Sequence, residues 1–183
     1  MALYAELAGM LTGRRQQALD AWTDRTLSSY QSPDFFLQSR DAFANPVGML
    51  IRDGLTRIFD LLCAEAEDEA FVQPVDQIVR IRAVQAFAPS QAVAPCLELR
   101  WLARNILADE ASASLPAGQW DHFACAVERV ALMAFDRYCR CREDLYRARV
   151  RELKSGRFRF TDGGCPTRRL AAEAERREND EQT

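Results

Sequence analysis

The stretch FANPVGMLIRDGLTRIFDLL, residues 43–62, decides the fold class of this chain. It begins with a helix signal, because Asn45 can cap free backbone amides and Pro46 fits the first helical position, where no N–H is needed. Apolar residues then recur at spacings of three and four, the pattern of a helix that buries one face. They are Val47, Leu50, Ile51, Leu55, Ile58, Phe59 and Leu62. The stretch therefore predicts an amphipathic helix from Pro46 to about Ala64.

Gly54 lies inside this predicted helix. A glycine in a helix interior costs about 1 kcal/mol relative to alanine, so its use there indicates that another backbone or a ligand comes close. Gly54 is therefore a candidate for close helix packing and a candidate ligand-binding residue.

The next helix is predicted from Pro74 to Phe87, after an acidic run, residues 65–69, that we expect to form a water-exposed loop. Its inward stripe is Val75, Ile78, Val79, Ala83 and Ala86. Arg82 lies beside that stripe, where a guanidinium reaches the surface, pairs with a carboxylate or binds an anionic ligand. Arg82 is thus a second candidate ligand-binding residue, whereas Arg80 faces elsewhere and is a candidate for a partner surface.

The N-terminal stretch is predicted to form one helix from about Leu3 to Tyr30, with a break near Gly13. Its residues at helical spacing are Leu19, Trp22, Thr23, Thr26 and Leu27, with Trp22 as the core anchor. A short segment with Phe35, Phe36 and Phe43 is expected to close one end of the bundle.

The last helix is predicted to begin between Pro116 and Asp121 and to end near Gly156. About 35 residues span about 50 Å, more than the ~30 Å width of a small domain, so its C-terminal part is expected to project. Heptad spacing predicts lengthwise packing on another helix, with a homodimer as the expected assembly. The candidate partner or dimer residues are Tyr138, Cys141, Leu145, Ala148, Phe158 and Phe160. Residues 156–183 predict a flexible or disordered tail.

Two segments carry a family resemblance. The runs Asn45-Pro46-Val47-Gly48, Val79-Arg80-Ile81-Arg82-Ala83-Val84-Gln85 and Pro89-Ser90-Gln91-Ala92-Val93, with Arg52 and Gly54-Leu55, resemble the N-terminal domain of the RsbT co-antagonist proteins from about residue 10 to about 154. The resemblance implies an all-helical signal-input domain, with a globin-like arrangement as an option, that in the family often precedes an STAS output domain.

Local departures from that pattern qualify the resemblance. Ala88 stands where a polar residue usually precedes the Pro-Ser pair, and Pro95 predicts a weak start or a kink in the following helix. About thirty residues follow the resemblance, too few for an STAS domain, so phosphorylation-switch chemistry is not transferred to this chain.

Charge and composition exclude several functions. Residues 1–135 hold 11 basic and 17 acidic groups, whereas residues 136–160 hold 9 basic and 4 acidic. These basic charges surround the helix with few interleaved aromatics, which favours a solvated surface over nucleic-acid binding. No apolar run approaches the roughly 20 residues that span a bilayer, and the charge order at the N-terminus is the reverse of a secretory signal, so we expect a cytoplasmic protein.

The six cysteines and the single histidine indicate neither a zinc ribbon nor a redox CxxC motif. His122 and Cys125 share a helix face, so a metal site built on them is an alternative, but no metal, haem or other cofactor is predicted. Cys165, on the tail, is the candidate redox residue. No phosphate loop, nucleotide-binding sheet or nucleophile elbow is present, and we predict no enzymatic activity.

The sequence therefore predicts an all-α bundle of about five to six helices, with a regulatory domain over residues 1–155 and a tail over 156–183. Its predicted function is a stand-alone input domain that senses a ligand or a cellular state and signals through protein contact. A small-molecule ligand and an unidentified protein partner are expected. The alternatives are a non-catalytic adaptor that docks through its last helix and tail, and a thiol- or metal-based redox sensor.

Overall fold

Six helices and no strand form the described part of the chain, which in this computed structural model comprises residues 2–30, 45–85, 87–108 and 114–155. They are α1 (Ala5–Gly13), α2 (Arg15–Ser28), α3 (Pro46–Cys63), α4 (Asp68–Val84), α5 (Pro89–Ile106) and α6 (Ala117–Lys154). The prediction of an all-α bundle with a long last helix is confirmed. The predicted segment with Phe35, Phe36 and Phe43 lies outside the described residues.

The chain divides into two compact units, Met1–Leu145 and Tyr146–Thr183, and the boundary falls within α6. The first unit contains α1 to α5 and the larger part of α6. Of the second unit, residues 146–155 are described, and they are the helical end of α6. The predicted division into residues 1–155 and 156–183 stays a prediction, because the tail lies outside the described residues.

The N-terminal prediction is confirmed in detail. The helix breaks at Arg14, whose amide donates to the Leu11 carbonyl at 3.0 Å, so α1 and α2 are separate helices. The stripe of α2 named from its spacing is buried throughout. Trp22 is 0% exposed, and its Nε1 donates to the carbonyl of Pro95 at 2.7 Å. Trp22 therefore joins α2 to α5 in the middle of the core.

α3 begins as its sequence predicts. The Asn45 side-chain oxygen accepts a hydrogen bond from the Gly48 amide at 2.8 Å, and Pro46 is the first helical residue. Most of the predicted stripe is buried, but Leu50 is 46% exposed. The prediction for Leu50 is wrong because it lies at the edge of the stripe, beside Ile51, which takes the inward position.

Gly54 lies at a close contact between α3 and α4. A Cβ at this position would lie 2.7 Å from Ile78 Cγ1 and 3.3 Å from the Pro74 carbonyl oxygen. Both distances are shorter than ordinary van der Waals contact, so only glycine fits here without movement of α4. Close helix packing, one of the two explanations offered for Gly54, is confirmed.

The structure differs from the sequence predictions at both ends of α4 and within α5. α4 ends at Val84, before the predicted end at Phe87. α4 begins at Asp68, six residues before the predicted start at Pro74, so Asp68 and Glu69 form its first turn and are not part of a loop. Acidic side chains are favourable there because the helix N-terminus carries partial positive charge. α5 runs unbroken through Pro95 from Pro89 to Ile106, where a weak start or kink is predicted. Its N-terminus is supported by Gln91 Oε1, which accepts from the Ala88 amide at 3.0 Å.

α6 is 38 residues long and spans about 57 Å at 1.5 Å per residue. Its start at Ala117 falls within the predicted range, and its end at Lys154 is close to the predicted one. In the first unit, the helix buries Phe123, Ala126, Val127, Val130, Ala131, Ala134 and Tyr138. No helix of the described residues is both long and apolar enough to cross a membrane.

Candidate functional site

The buried Arg82 guanidinium lies where α2, α4 and α5 meet. Arg82 is 0% exposed, and its Nη2 donates to Ser29 Oγ at 2.8 Å and to the Gln91 carbonyl at 2.9 Å. The sequence leaves three possibilities for Arg82: reaching the surface, pairing with a carboxylate or binding an anionic ligand. Its burial excludes the first. Its two hydrogen-bond acceptors are neutral oxygens, so no carboxylate pairs with it among the described residues.

Two aromatic rings cover the guanidinium. Its central carbon lies 4.3 Å from the ring centroid of Phe87 and 5.0 Å from that of Tyr30. The two rings are 5.0 Å apart and inclined at 70°. Such contacts stabilise a cation through the negative face of each ring. Burial nevertheless lowers the pKa of Arg82, although Tyr30 opposes that effect.

The hydrogen-bonding capacity of Arg82 is only partly used. Its Nε and Nη1 are buried and have no hydrogen-bond partner among the described residues. A guanidinium stays protonated in proteins, so the described part of the chain holds a buried positive charge with two nitrogen donors that none of its residues accepts from. Such an arrangement is costly unless another group compensates it.

α6 holds the same region from its other side. Tyr138 donates its hydroxyl to the Phe87 carbonyl, and Arg142 Nη1 donates to the Ala83 carbonyl at 3.0 Å. Ala83 lies in the last turn of α4, where carbonyls lack helical partners and a cation is favourable. We call residues 82–85 and 87–91 the α4–α5 corner. Its carbonyls are thus bound by Arg82 within the bundle and by two side chains of α6.

A groove with a volume of about 610 Å³ opens beside the α4–α5 corner. Its lining is mainly apolar and contains one charged side chain, that of Arg142. The lining residues are Phe87, Ala88, Pro89, Gln91, Tyr138, Cys139 and Arg142. Phe87 and Gln91 also contact Arg82, so the groove and the buried cation share two residues.

The two predicted ligand-binding residues, Gly54 and Arg82, do not lie together: Arg82 belongs to the α4–α5 corner and Gly54 does not. Gly54 contacts Ile78 and Pro74, earlier on α4, and neither Gly54 nor Arg82 lines the groove. The residues that contact Arg82 are Ser29, Tyr30, Phe87 and Gln91, whereas Tyr138 and Arg142 bind carbonyls of neighbouring residues. Sequence reasoning did not assign the first four or Arg142 to a site, because local spacing carries no sign of contacts between distant helices.

The predicted partner residues have different environments. Tyr138 is 2% exposed and lies inside the bundle, and Cys141 is half-buried. Leu145, the last residue of the first unit, is 41% exposed. Ala148, in the second unit, is half-buried. Phe158, Phe160 and the predicted redox residue Cys165 lie outside the described residues.

A second cavity, of about 350 Å³, lies between the start of α1, the α3–α4 connection and α6. His122 and Cys125 both line it, as their shared helix face predicts. Among the described residues, no group of three or more histidine, cysteine, aspartate or glutamate side chains is placed to hold a metal ion. Glu65 accepts hydrogen bonds from the amides of Leu3 and Tyr4 at 2.6 and 3.1 Å, so this acidic residue fastens α1 to the α3–α4 connection.

Burial raises the pKa of three weakly acidic side chains around the core. It raises the pKa of Cys63 and of Cys96 to about 11, and that of Tyr4 to about 12. Tyr4 also donates its hydroxyl to the Leu62 carbonyl at 2.8 Å. These groups resist ionisation in the folded protein, so the two thiols are poor sites for thiolate chemistry near neutral pH.

The raised pKa values predict alkaline destabilisation. The folded protein retains protons that the unfolded chain releases, so the free energy of unfolding should be largest below about pH 9 and fall as the pH rises towards about 11. Urea denaturation at about pH 8 and about pH 10.5 measures this loss. Cys63→Val should flatten the dependence, whereas Cys139→Val, at an exposed thiol, should leave it unchanged. Equal free energies of unfolding at both pH values would contradict the raised pKa values of the two buried thiols.

Comparison with known proteins gives one match. The model of the family described as "RsbT co-antagonist protein rsbRD N-terminal domain" matches residues 16–153, which include nearly all of α2 to α6. Neither the curated proteins nor the solved structures contain a match. The matched range includes both the α4–α5 corner and the groove, and it agrees with the resemblance found in the sequence.

Proposed function

Because the chain belongs to the family of RsbT co-antagonist protein rsbRD N-terminal domains, we propose that it is a non-catalytic regulatory input domain. It responds to a small ligand or a cellular state and passes the signal to a separate protein through direct contact. The observation that carries this proposal is the α4–α5 corner, which is bound by a buried cation on one side and by α6 on the other.

The corner is suited to transmit a structural change. Signals pass between sites through packed elements that have alternative arrangements. A shift of Phe87 would move the carbonyl that Tyr138 binds, and a shift at the end of α4 would move the carbonyl that Arg142 binds. Either movement reaches α6 directly. The corner therefore serves as the input element, and α6 carries the signal.

The C-terminal half of α6 is the proposed contact region. Residues 136–160 have a net charge of +5, which favours a partner with an acidic surface. In the first unit, Cys141 and Leu145 add partly accessible apolar surface. Ala148, in the second unit, continues their heptad spacing. A second copy of the chain is the simplest partner for such a spacing, and a homodimer is part of the proposal.

Arg142→Met tests whether α6 is coupled to the corner. It removes the hydrogen bond to the Ala83 carbonyl and retains most of the side-chain length. Hydrogen exchange should become faster in residues 83–92, by about fivefold, since one hydrogen bond contributes about 1 kcal/mol. Binding to a partner isolated with the wild-type protein should weaken by a similar factor.

Arg140→Met is the matched control, because Arg140 is an exposed arginine of the same helix. It should leave hydrogen exchange at the corner unchanged and weaken partner binding less than Arg142→Met does, because it removes a charge of the contact region but no hydrogen bond to the corner. If Arg142→Met and Arg140→Met weaken the partner equally, the loss reflects surface charge alone and the proposed coupling is incorrect. Native mass spectrometry of the purified protein reads the oligomeric state separately, and a monomer at all concentrations would exclude the homodimer.

A further inference from the structure

We propose that Arg82 is the anion-recognising residue of a ligand site in the α4–α5 corner, entered from the groove beside Phe87, and that the ligand is a small carboxylate with an apolar body. This inference rests on the proposed input function and names the class of ligand. Its starting point is a fully buried guanidinium, two of whose nitrogen donors have no acceptor among the described residues.

The charge of Arg82 calls for an anion. Its hydrogen bonds in the described part of the chain go to the neutral oxygens of Ser29 and Gln91. The aromatic contacts with Tyr30 and Phe87 offset part of the cost of burial, and the Tyr30 hydroxyl favours the charged guanidinium. No described residue accepts a hydrogen bond of good geometry from Nε or Nη1. A buried charge is normally paired and fully hydrogen-bonded. A ligand carboxylate would supply both the opposite charge and the missing acceptor.

The geometry favours a single carboxylate over a phosphate. An anion that accepts hydrogen bonds from the guanidinium approaches in its plane, because that is where the N–H bonds point. Nη2 is already bound to two acceptors, and the unused Nε and Nη1 belong to different edges of the guanidinium. Each edge therefore offers one unused nitrogen donor. A phosphate dianion needs more donors than this arrangement provides, whereas a carboxylate oxygen needs one or two.

The groove supplies an entrance and a place for the apolar body. Phe87 and Gln91 line the groove and contact Arg82, and Phe87 is half-buried, so its ring separates the groove from the cation. The remaining lining includes Pro89 and Tyr138, which offer apolar contact. The Arg142 guanidinium and the N-terminus of the 18-residue helix α5 lie at the same opening. Both favour the approach of an anion.

Occupation of this site has a direct structural consequence. An anion that reaches Arg82 from the groove must displace the Phe87 ring, and the Phe87 backbone carbonyl is the acceptor of the Tyr138 hydroxyl. Ligand binding and the position of α6 are therefore linked through one residue. Phe87 is the gate of the site, and Arg82 is its base.

The test uses the full chain with sodium benzoate, sodium acetate and sodium phosphate, each compared with sodium chloride at equal ionic strength. Benzoate should raise Tm saturably, by about 4 °C at about ten times its Kd. Acetate, which lacks the apolar body, should bind more weakly, and phosphate should act like chloride. Isothermal titration should give one benzoate site per chain. No saturable effect of either carboxylate would overturn the proposal, and a phosphate response equal to that of benzoate would overturn the carboxylate assignment.

Arg82→Met should abolish the benzoate response. This variant preserves much of the side-chain volume, and replacement of a buried charge by an apolar group is often tolerated, so it is expected to fold. Arg80→Met is the matched control: Arg80 lies on the same helix, is exposed and pairs with Asp76 at 2.6 Å. It should retain the wild-type Kd. An unchanged response in Arg82→Met would contradict the proposal.

Phe87→Ala provides a second test that keeps Arg82. Removal of the gate should lower the benzoate Kd by about tenfold, because the ligand no longer has to displace the ring. An unchanged Kd would place the benzoate site elsewhere. The Arg142→Met experiment measures the coupling between the corner and α6 without any carboxylate. Failure of benzoate binding would therefore overturn the ligand site, and the proposed input function would still be tested by Arg142→Met.

Discussion

Replacement of Trp22 by alanine is expected to lower the free energy of unfolding by about 3–5 kcal/mol, the cost of removing a large aromatic side chain from a packed core. Trp22 is 0% exposed, and it connects α2 to α5 through the hydrogen bond to the Pro95 carbonyl. The substitution therefore creates a cavity and leaves that carbonyl without its donor. Urea denaturation followed by circular dichroism measures the loss.

Two further substitutions serve as controls. One separates the contribution of packing from that of the hydrogen bond, and the other separates loss of a buried tryptophan from loss of any tryptophan. Trp22→Phe retains an aromatic ring but removes the N–H, so its cost should be smaller, about 1–3 kcal/mol. Trp101→Ala removes the same side chain from a position that is 54% exposed and that contacts Arg25 at 5.0 Å. We expect it to cost less than about 1 kcal/mol. Equal destabilisation by Trp22→Ala and Trp101→Ala would show that Trp22 is not the core anchor.

Gly54→Val is expected to destabilise the protein by about 3 kcal/mol, because the first added carbon would already collide with Ile78 and approach the Pro74 carbonyl. The side chain of Ile78 can rotate only within a packed core, and the Pro74 carbonyl belongs to the backbone of α4. The two helices must therefore separate. Chemical denaturation gives the loss in the free energy of unfolding.

Gly9→Val is the matched control, because a Cβ at Gly9, also inside a helix, would meet no atom within 4 Å. Valine has a somewhat higher helix propensity than glycine, so this variant should be neutral or slightly stabilising. The double variant Gly54→Val with Ile78→Ala should be less destabilised than the sum of the single variants, by at least about 1 kcal/mol. Strict additivity would mean that the side chain introduced at position 54 and the Ile78 side chain do not compete for the same space.

The sequence identifies Arg82 as unusual without showing what surrounds it. Its position beside the inward stripe of α4 follows from helical spacing alone. Its contacts do not, because Ser29 is 53 residues away in the chain and Gln91 belongs to another helix. The aromatic residues Tyr30 and Phe87 also follow the ends of different helices. Nothing in their local spacing indicates that they meet at one guanidinium.

The start of α4 is predicted at Pro74 but lies at Asp68, and the difference has a physical cause. Proline is favoured at the first turn of a helix, so the sequence indicates a start there. The helix nevertheless begins earlier, since Asp68 and Glu69 stabilise its N-terminus and Phe71, 4% exposed, adds a buried contact. A proline within a helix loses one hydrogen bond, and tertiary packing compensates for it. The packing of Gly54 against the Pro74 carbonyl is part of that compensation.

The sequence by itself determined the helices, because periodicity, the Asn45 cap and the Pro46 start act over one or two turns. It also determined the family, since the motif residues lie in two short runs. Only the tertiary structure decided that Arg82 is buried, with two nitrogens that no described residue accepts from, and that Tyr138 packs inside the bundle, bound to a carbonyl 51 residues away. Those outcomes depend on contacts between helices, and the free energy of such contacts is set by the three-dimensional arrangement and not by local spacing.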